Sequence, residues 1–347
     1  MTDAQWQELL RVVGGEMPER LPVGLIVDSP WLPNWAGYSI LDYYTSDEVF
    51  LAANLAAEKR FPAVWFLPGF WSEYGMCTEP SAFGALCRFP EDELPFAERI
   101  LAEPADARRL KKPDCRRDGL APFMIKRLVH CADRMEGEGH AVRFAVARGP
   151  LNIASFLLGH TEFLLAIRTD PEEVHLLLRI ITDFLVDWLV YQKKCFPSIE
   201  GVLALDDLVG FIKDADFQEF AVPYLREIYA ALDAPVKAFH NDAFGLITAR
   251  HLASIGINLF NFSFEHPVER IRELAGETVT LLGNIPPRDV LAEGSAEDIG
   301  RSVAAMLAPL GDGRRLILSC GGGTPPGVPT ENIDALCRAA EERVSMP

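Results

Sequence analysis

The chain has no basic surplus, no long apolar run and no cysteine framework, and each absence removes a class of function. Lys and Arg number 33 against 50 Asp and Glu, a net charge of -17 over 347 residues. With no positive excess to neutralise phosphates, neither nucleic acid nor an anionic membrane surface is an expected partner. The most apolar helical stretch, around 180–191, is interrupted by Asp183 and Asp187, well short of the roughly 18 uninterrupted apolar residues that a membrane span needs. The first residues show no basic region ahead of an apolar run, which predicts no signal peptide. Seven cysteines, at 77, 87, 115, 131, 195, 320 and 337, are odd in number and lack CxxC spacing. That is the usage of reduced thiols and not of a disulfide scaffold or zinc ribbon. The composition therefore predicts a soluble, cytoplasmic, globular enzyme.

What is present is a recurring unit, a short apolar run ending in polar residues and followed by a helical pattern. Eight such runs read as strands: 22–28 (PVGLIVD), 63–68 (AVWFLP), 141–148 (AVRFAVAR), 201–207 (GVLALDD), 235–240 (PVKAFH), 258–263 (NLFNFS), 278–284 (TVTLLGN) and 315–320 (RLILSC). Continuous apolar runs suit strands covered on both faces, as in parallel sheets. Asp170-Pro171-Glu172-Glu173 opens a helix with a capping residue, a proline in the first turn and acids facing the dipole. Eight strands with helical crossovers predict an α/β fold, a closed (β/α)8 TIM barrel. No GxGxxG follows the first run, which argues against an open dinucleotide-binding sheet. The pattern is read as one domain over 1–347, with additional helices in the N-terminal half. The stretch around 72–139 is longer than one crossover requires and is taken as a helical insertion.

A barrel of this kind places its chemistry at the C-terminal strand ends. Those ends carry Asp28, Arg148, Asp206 with Asp207, His240 with Asp242, Asn261 with Glu265, Asn284 and Cys320. His240 and Asp242 stand two apart on extended chain, so both can reach one ion. With the Cys320 thiolate and the Glu265 carboxylate they make a plausible zinc set; a buried histidine bonded to Asp242 is the competing reading. Asp206 and Asp207 are adjacent and point opposite ways, so one of the two enters the site. Cys320-Gly-Gly-Gly-Thr-Pro-Pro-Gly allows close backbone approach to a ligand, a phosphate included, although two prolines remove donors. Aromatics crowd the ends of the first two strands: Trp31, Trp35 and Tyr38, then Trp65, Phe66, Phe70, Trp71 and Tyr74. Several fall where loops normally turn polar, which suggests an apolar pocket for a flat or methylated ligand, with Asp28 and Glu73 as polar fixtures. His130, His140, His160, His175 and His251 read as structural or surface residues, and His266 as a weaker candidate beside Glu265.

An ordered series of motifs then resembles the uroporphyrinogen decarboxylase superfamily. The series runs from Leu205-Asp206-Asp207-Leu208 and Phe217-x-x-Phe220-x-x-Pro223-Tyr224 to Phe239-His240-Asn241-Asp242. It continues with Gly256-Ile257-Asn258, Leu282-Gly283-Asn284-Ile285, Cys320-Gly321-Gly322 and Pro329-Thr330-Glu331-Asn332-Ile333. The decarboxylase itself is a poor match. Its arginine-rich N-terminal stretch is replaced by Trp and Pro around 22–38, its aspartate near the second strand by Trp65-Phe66-Leu67-Pro68, and its late histidine by Ser319-Cys320-Gly321. The chain looks more like the cobalamin-dependent methyltransferase branch, of the O-demethylase type. That resemblance implies zinc held by His240 and Cys320 with a carboxylate such as Glu265. Thiol-methylating members carry a second cysteine where this chain has Asp242. It further implies a methoxylated, aromatic methyl donor and a partner corrinoid (cobalamin) protein as acceptor, with a homodimer open as the assembly. On this reading Trp31, Trp35, Trp65, Phe70, Trp71 and Arg148 bind substrate, and Asp206, Asp242 and Asn284 serve catalysis. The alternatives are a decarboxylase-like lyase, a methylcobalamin:thiol methyltransferase, and a non-catalytic corrinoid- or porphyrin-binding protein.

Overall fold

Each of the eight apolar runs forms a strand, and neighbouring strands pair in parallel. The structure is a computed structural model and describes residues 1–27 and 30–342. The strands are β1 (Val23–Ile26), β2 (Val64–Leu67), β3 (Phe144–Arg148), β4 (Gly201–Leu205), β5 (Val236–Asn241), β6 (Leu259–Phe262), β7 (Thr280–Ile285) and β8 (Leu316–Cys320). They form one curled sheet in the order β2-β1-β8-β7-β6-β5-β4-β3, wrapped by helices as in an α/β barrel. Among the described residues no single helix is long and apolar enough to cross a membrane.

Two apolar layers result from the alternation of side chains along each strand. Ile26, Leu67, Phe144, Val146, Leu203, Leu205, Ala238, Leu259, Leu282 and Ile317 cluster inside the barrel. The intervening residues, such as Leu25, Phe66, Ala145, Ala204, Phe239, Phe260 and Leu318, join the layer beneath the helices. Gly24 leaves room in the interior, since a Cβ there would meet Ile317 Cγ2 at 2.9 Å and Leu282 Cδ1 at 3.2 Å. The helix Asp3–Gly14, capped by Thr2 and Gln5, packs Trp6, Leu9, Val12 and Val13 against this interior cluster.

The ring differs from a closed barrel at one place. Among the described residues no ladder joins β2 to β3. Side chains and the N-terminal segment satisfy backbone groups on both edges instead. Gln192, on the helix Pro171–Cys195, accepts from the Val146 N–H at 3.0 Å and donates to its carbonyl at 2.9 Å. Gln5 donates to the Val64 carbonyl at 3.5 Å, and Thr2 bridges to His140 just before β3. A buried strand edge needs such partners, because unpaired backbone groups inside a protein are costly.

The segment after β2 is less helical than its pattern suggests. It contains the 3-10 turns Gly75–Cys77 and Pro104–Arg109, the short helix Thr78–Ala82, a hairpin pairing Cys87–Arg88 with Phe96–Ala97, and the helix Ala121–Gly137. Pro90, Pro95, Pro104 and Pro113 break the intervening stretch, where each removes a donor and blocks helix propagation.

Candidate functional site

The strand register brings the polar strand ends to one level. Leu205 stands opposite His240, His240 opposite Asn261, and Asn261 opposite Leu282. Alternation then sorts the side chains. Counting two at a time from Leu205, Ala238 and Leu259 in the interior layer puts Asp207, His240, Asp242 and Asn261 in phase with the barrel axis. Asp206 and Cys320 fall in the opposite phase.

His240, Asp207 and Asp242 converge. Their ligand atoms all lie within 4.8 Å of one another, with His240 buried, Asp207 half-buried and Asp242 exposed at the rim. His240 Nε2 is 3.7 Å from an Asp207 oxygen and 3.8 Å from an Asp242 oxygen. Two ligands at about 2.0–2.2 Å from one tetrahedral ion stand roughly 3.4 Å apart, so this spacing needs only slight contraction around a cation. The imidazole is held in this orientation by Asn261. The Asn261 Nδ2 donates to the carbonyls of Leu282 (2.8 Å) and Cys320 (3.3 Å). Its Oδ1 is thereby left to accept from His240 Nδ1 at 2.7 Å. With the proton on Nδ1, the Nε2 lone pair faces the two carboxylates.

Asp207 is placed as firmly. Asn152 accepts from the N–H groups of Asp207 and Leu208, both at 3.1 Å, and donates toward the Asp207 carboxylate at 3.5 Å. The other Asp207 oxygen accepts from the Asp242 N–H at 3.1 Å. Asn241 holds the turn that follows β5, donating to Thr248 Oγ1 at 3.0 Å and accepting from the Ala243 N–H at 3.0 Å. Although Asp242 reaches the rim, the loops packed around its carboxyl strip it of water and raise its pKa; His240 opposes this and the neighbouring Asp207 carboxylate adds to it. Two carboxylates held together in this way favour a cation or a proton between them.

Asp206, expected among the catalytic residues, is a structural cap. It is fully buried, and its two oxygens accept from Leu151 N–H (2.9 Å) and Asn152 N–H (3.0 Å) at the start of the helix Pro150–Leu158. Burial raises its pKa well above the ordinary carboxylate value, against the pull of those amides. The pair Asp206-Asp207 divides in direction, with Asp207 turned toward His240 and Asp206 toward the helix Pro150–Leu158. Asn284 uses its amide to hold the carbonyls of His266 (2.8 Å) and Ser263 (3.4 Å), shaping the loop after β6.

Cys320 and Glu265 stand outside the convergent set. The Cys320 thiol belongs to the layer beneath the helices, donates toward the carbonyls of Gly322 (3.5 Å) and Gly323 (3.6 Å), and is pushed up to about 12 by burial. Glu265 is exposed, and its N–H donates to Ser263 Oγ at 3.3 Å. The aromatic residues are divided too. Trp31 and Trp35 stack with centroids 5.2 Å apart beneath the C-terminal helix, bonding Val328 O and Thr330 Oγ1. Phe70 lies edge-on to His140, and Trp65 joins the interior layer. Trp71 and Arg148 remain together, lining a small cavity with Glu73, Thr78 and Glu79. Arg148 Nη2 donates to both Glu73 oxygens at 3.0 and 3.3 Å, while its own N–H donates to the buried Glu79 at 3.0 Å. Asp28 lies outside the described residues.

Three consecutive loops add a feature that sequence reasoning passed over. Each presents an exposed phenyl near an acid: Phe211 after Asp207, Phe244 after Asp242, and Phe264 before Glu265. Phe211 and Phe244 meet edge to face at 6.3 Å. Asn152 and Asn261 have no role in the sequence reading; the signal that marks them is an amide flanked on both sides by apolar residues.

The family described as Uroporphyrinogen decarboxylase (URO-D) matches residues 5–343. Uroporphyrinogen decarboxylase of Homo sapiens is 27% identical over 357 residues, covering 96% of this chain and 93% of the relative. That of Dichelobacter nodosus is 25% identical, covering 96% of each. Among solved structures, a methyltransferase from Methanosarcina mazei superposes with a TM-score of 0.83 at 18% identity, over 97% of this chain and 98% of its own. A B12-independent methionine synthase from Shewanella sp. W3-18-1 gives a TM-score of 0.55 at 13% identity, over 94% and 98%. At such identities these structures share the fold.

Proposed function

The chain belongs to the uroporphyrinogen decarboxylase family, and within it we propose a metal-dependent methyltransferase that moves a methyl group from a methoxylated, aromatic donor to a corrinoid carried by a partner protein. The observation that carries this reading is the fixed His240 Nε2 facing Asp207 and Asp242. One imidazole and two carboxylates suit zinc, and they leave a position open for substrate. When bound, the metal supplies Lewis-acid stabilisation of the negative charge that grows on the ether oxygen as its bond to carbon breaks.

The chain's own residues do the positioning. Asn261 holds the ring through Nδ1 and so aims Nε2 at the carboxylates, and Asn152 keeps Asp207 against it. Trp71 and Arg148 form the side of the mouth where an aromatic ring is oriented. The exposed phenyls of Phe211, Phe244 and Phe264 offer an apolar surface open from outside, as a docking cofactor carrier requires. The convergence of Asp207 and Asp242 on His240 favours these two carboxylates over Glu265 and Cys320 as the further metal ligands. A tetrapyrrole with many carboxylates, by contrast, meets carboxylates at this mouth, and its buried arginine, Arg148, is already paired with Glu73.

The test is to purify the protein, measure bound zinc, and offer a panel of methoxybenzenes with reduced cobalamin while following the cobalt absorbance. Stoichiometric metal and a methoxy-dependent absorbance change are expected. A metal-free protein that releases carbon dioxide from a carboxylated tetrapyrrole would overturn the proposal.

A further inference from the structure

Away from the metal cluster, the segment after β2 brings two cysteines together. Cys77 ends the turn Gly75–Cys77, and Cys87 begins the hairpin that follows. A backbone bond ties turn to hairpin, Met76 N–H donating to Pro95 O at 3.1 Å, and Glu98 N–H to Leu86 O at 2.9 Å extends the pairing within the hairpin. The Cys87 thiol lies 3.9 Å from the Cys77 carbonyl and 3.7 Å from that of Ala85. The two residues therefore touch through the Cys87 sulfur and the Cys77 backbone. Cys77 is fully buried and Cys87 half-buried, so one sulfur is open to a reagent and the other waits behind it.

We propose that Cys77 and Cys87 are a redox site, a dithiol that closes to a disulfide by exchange with a small-molecule disulfide such as oxidised glutathione. Cys87, as thiolate, attacks one sulfur of the reagent, breaking its S–S bond and releasing one thiol. Cys77 then gives up its proton and attacks the Cys87 sulfur, expelling the second thiol. One S–S bond is lost and one gained, and two electrons and two protons pass from the pair to the reagent. Cys87 is the half-buried sulfur and Cys77 the fully buried one, which assigns attack to the outer sulfur and resolution to the inner one; the neighbouring Cys77 lowers the Cys87 pKa, in the same sense. The cross-link would tie the hairpin to the stretch that carries Glu73, the Gly75 carbonyl and Glu79, all bonded to Arg148.

The test equilibrates the whole protein in buffers of rising oxidised-to-reduced glutathione ratio, quenches with acid, alkylates and maps peptides by mass. A Cys77–Cys87 cross-linked peptide, two hydrogens lighter than the reduced pair, is expected, with buried Cys115, Cys131 and Cys320 recovered as free thiols. Cys77→Ser should lose the cross-link and instead accumulate glutathione on Cys87. If the wild type shows both cysteines alkylated at every ratio, or holds a stable mixed disulfide on Cys87, the proposal fails.

Discussion

Asn261 Oδ1 accepts a hydrogen bond from His240 Nδ1 at 2.7 Å while both of its own amide hydrogens are committed to the carbonyls of Leu282 and Cys320. The amide cannot turn over without breaking two bonds, so the histidine tautomer is set by the backbone of β7 and β8. Asn261→Leu should therefore weaken zinc binding by about 10–100-fold, the usual cost of losing a partner that orients a ligand. Competition against a chelator of known affinity measures it. An unchanged affinity would show that His240 needs no such hold.

Ligand substitutions separate the two sets of donors. Asp207→Asn and Asp242→Asn should each lower zinc content, whereas Cys320→Ser should retain it, because its thiol faces the carbonyls of Gly322 and Gly323. Elemental analysis of the three variants decides, and loss of zinc from Cys320→Ser alone would restore the sulfur as ligand.

His140 gives the protein an acid-sensitive core. Burial pulls its imidazole down to about 4 from 6.5, aided by the Met1 amino group, with Glu58 at 3.9 Å. The folded chain thus binds this proton more weakly than the unfolded chain. Its contribution is complete above pH 6.5 and is lost as pH falls toward 4, by at most about 1.4 kcal/mol per pH unit. Urea midpoints of wild type and His140→Gln should converge across that window as pH drops. A difference that does not change with pH would refute the assignment.

Gln192→Leu should destabilise the fold by about 2–4 kcal/mol, since it leaves the N–H and carbonyl of Val146 unpaired inside the wall. Urea unfolding monitored by tryptophan fluorescence reads this directly. A loss under 1 kcal/mol would mean that water or another side chain takes over.

The strands were legible because a strand buried on both faces leaves an apolar run, and every run in 22–28 through 315–320 contains one. Their ends were less so, as the last residue of LALDD or LILSC is polar whether it leaves the sheet or completes it. Counting in twos separates Asp207 from Asp206 and Cys320 from Ser319, but with both faces apolar it does not say which phase points inward: Leu203 and Leu205 of β4 lie inside, whereas Leu316 and Leu318 of β8 lie outside with Cys320. What no count supplies is which interior residues meet across strands. The grip of Asn261 on His240 depends on the β5–β6 register, and that of Asn152 on Asp207 depends on where a helix begins. The hairpin at Cys87 and the gap between β2 and β3 left no pattern to read, because both arise from contacts with distant segments.

The gap carries a consequence for how the molecule accommodates guests. A ring stitched by strand pairing on seven sides and by amide side chains on the eighth can change its girth without tearing a single ladder. Widening would fall beside Trp71 and Arg148, where bulk must be admitted, while the spacing of His240, Asp207 and Asp242 is kept by the β4–β5 ladder that carries all three.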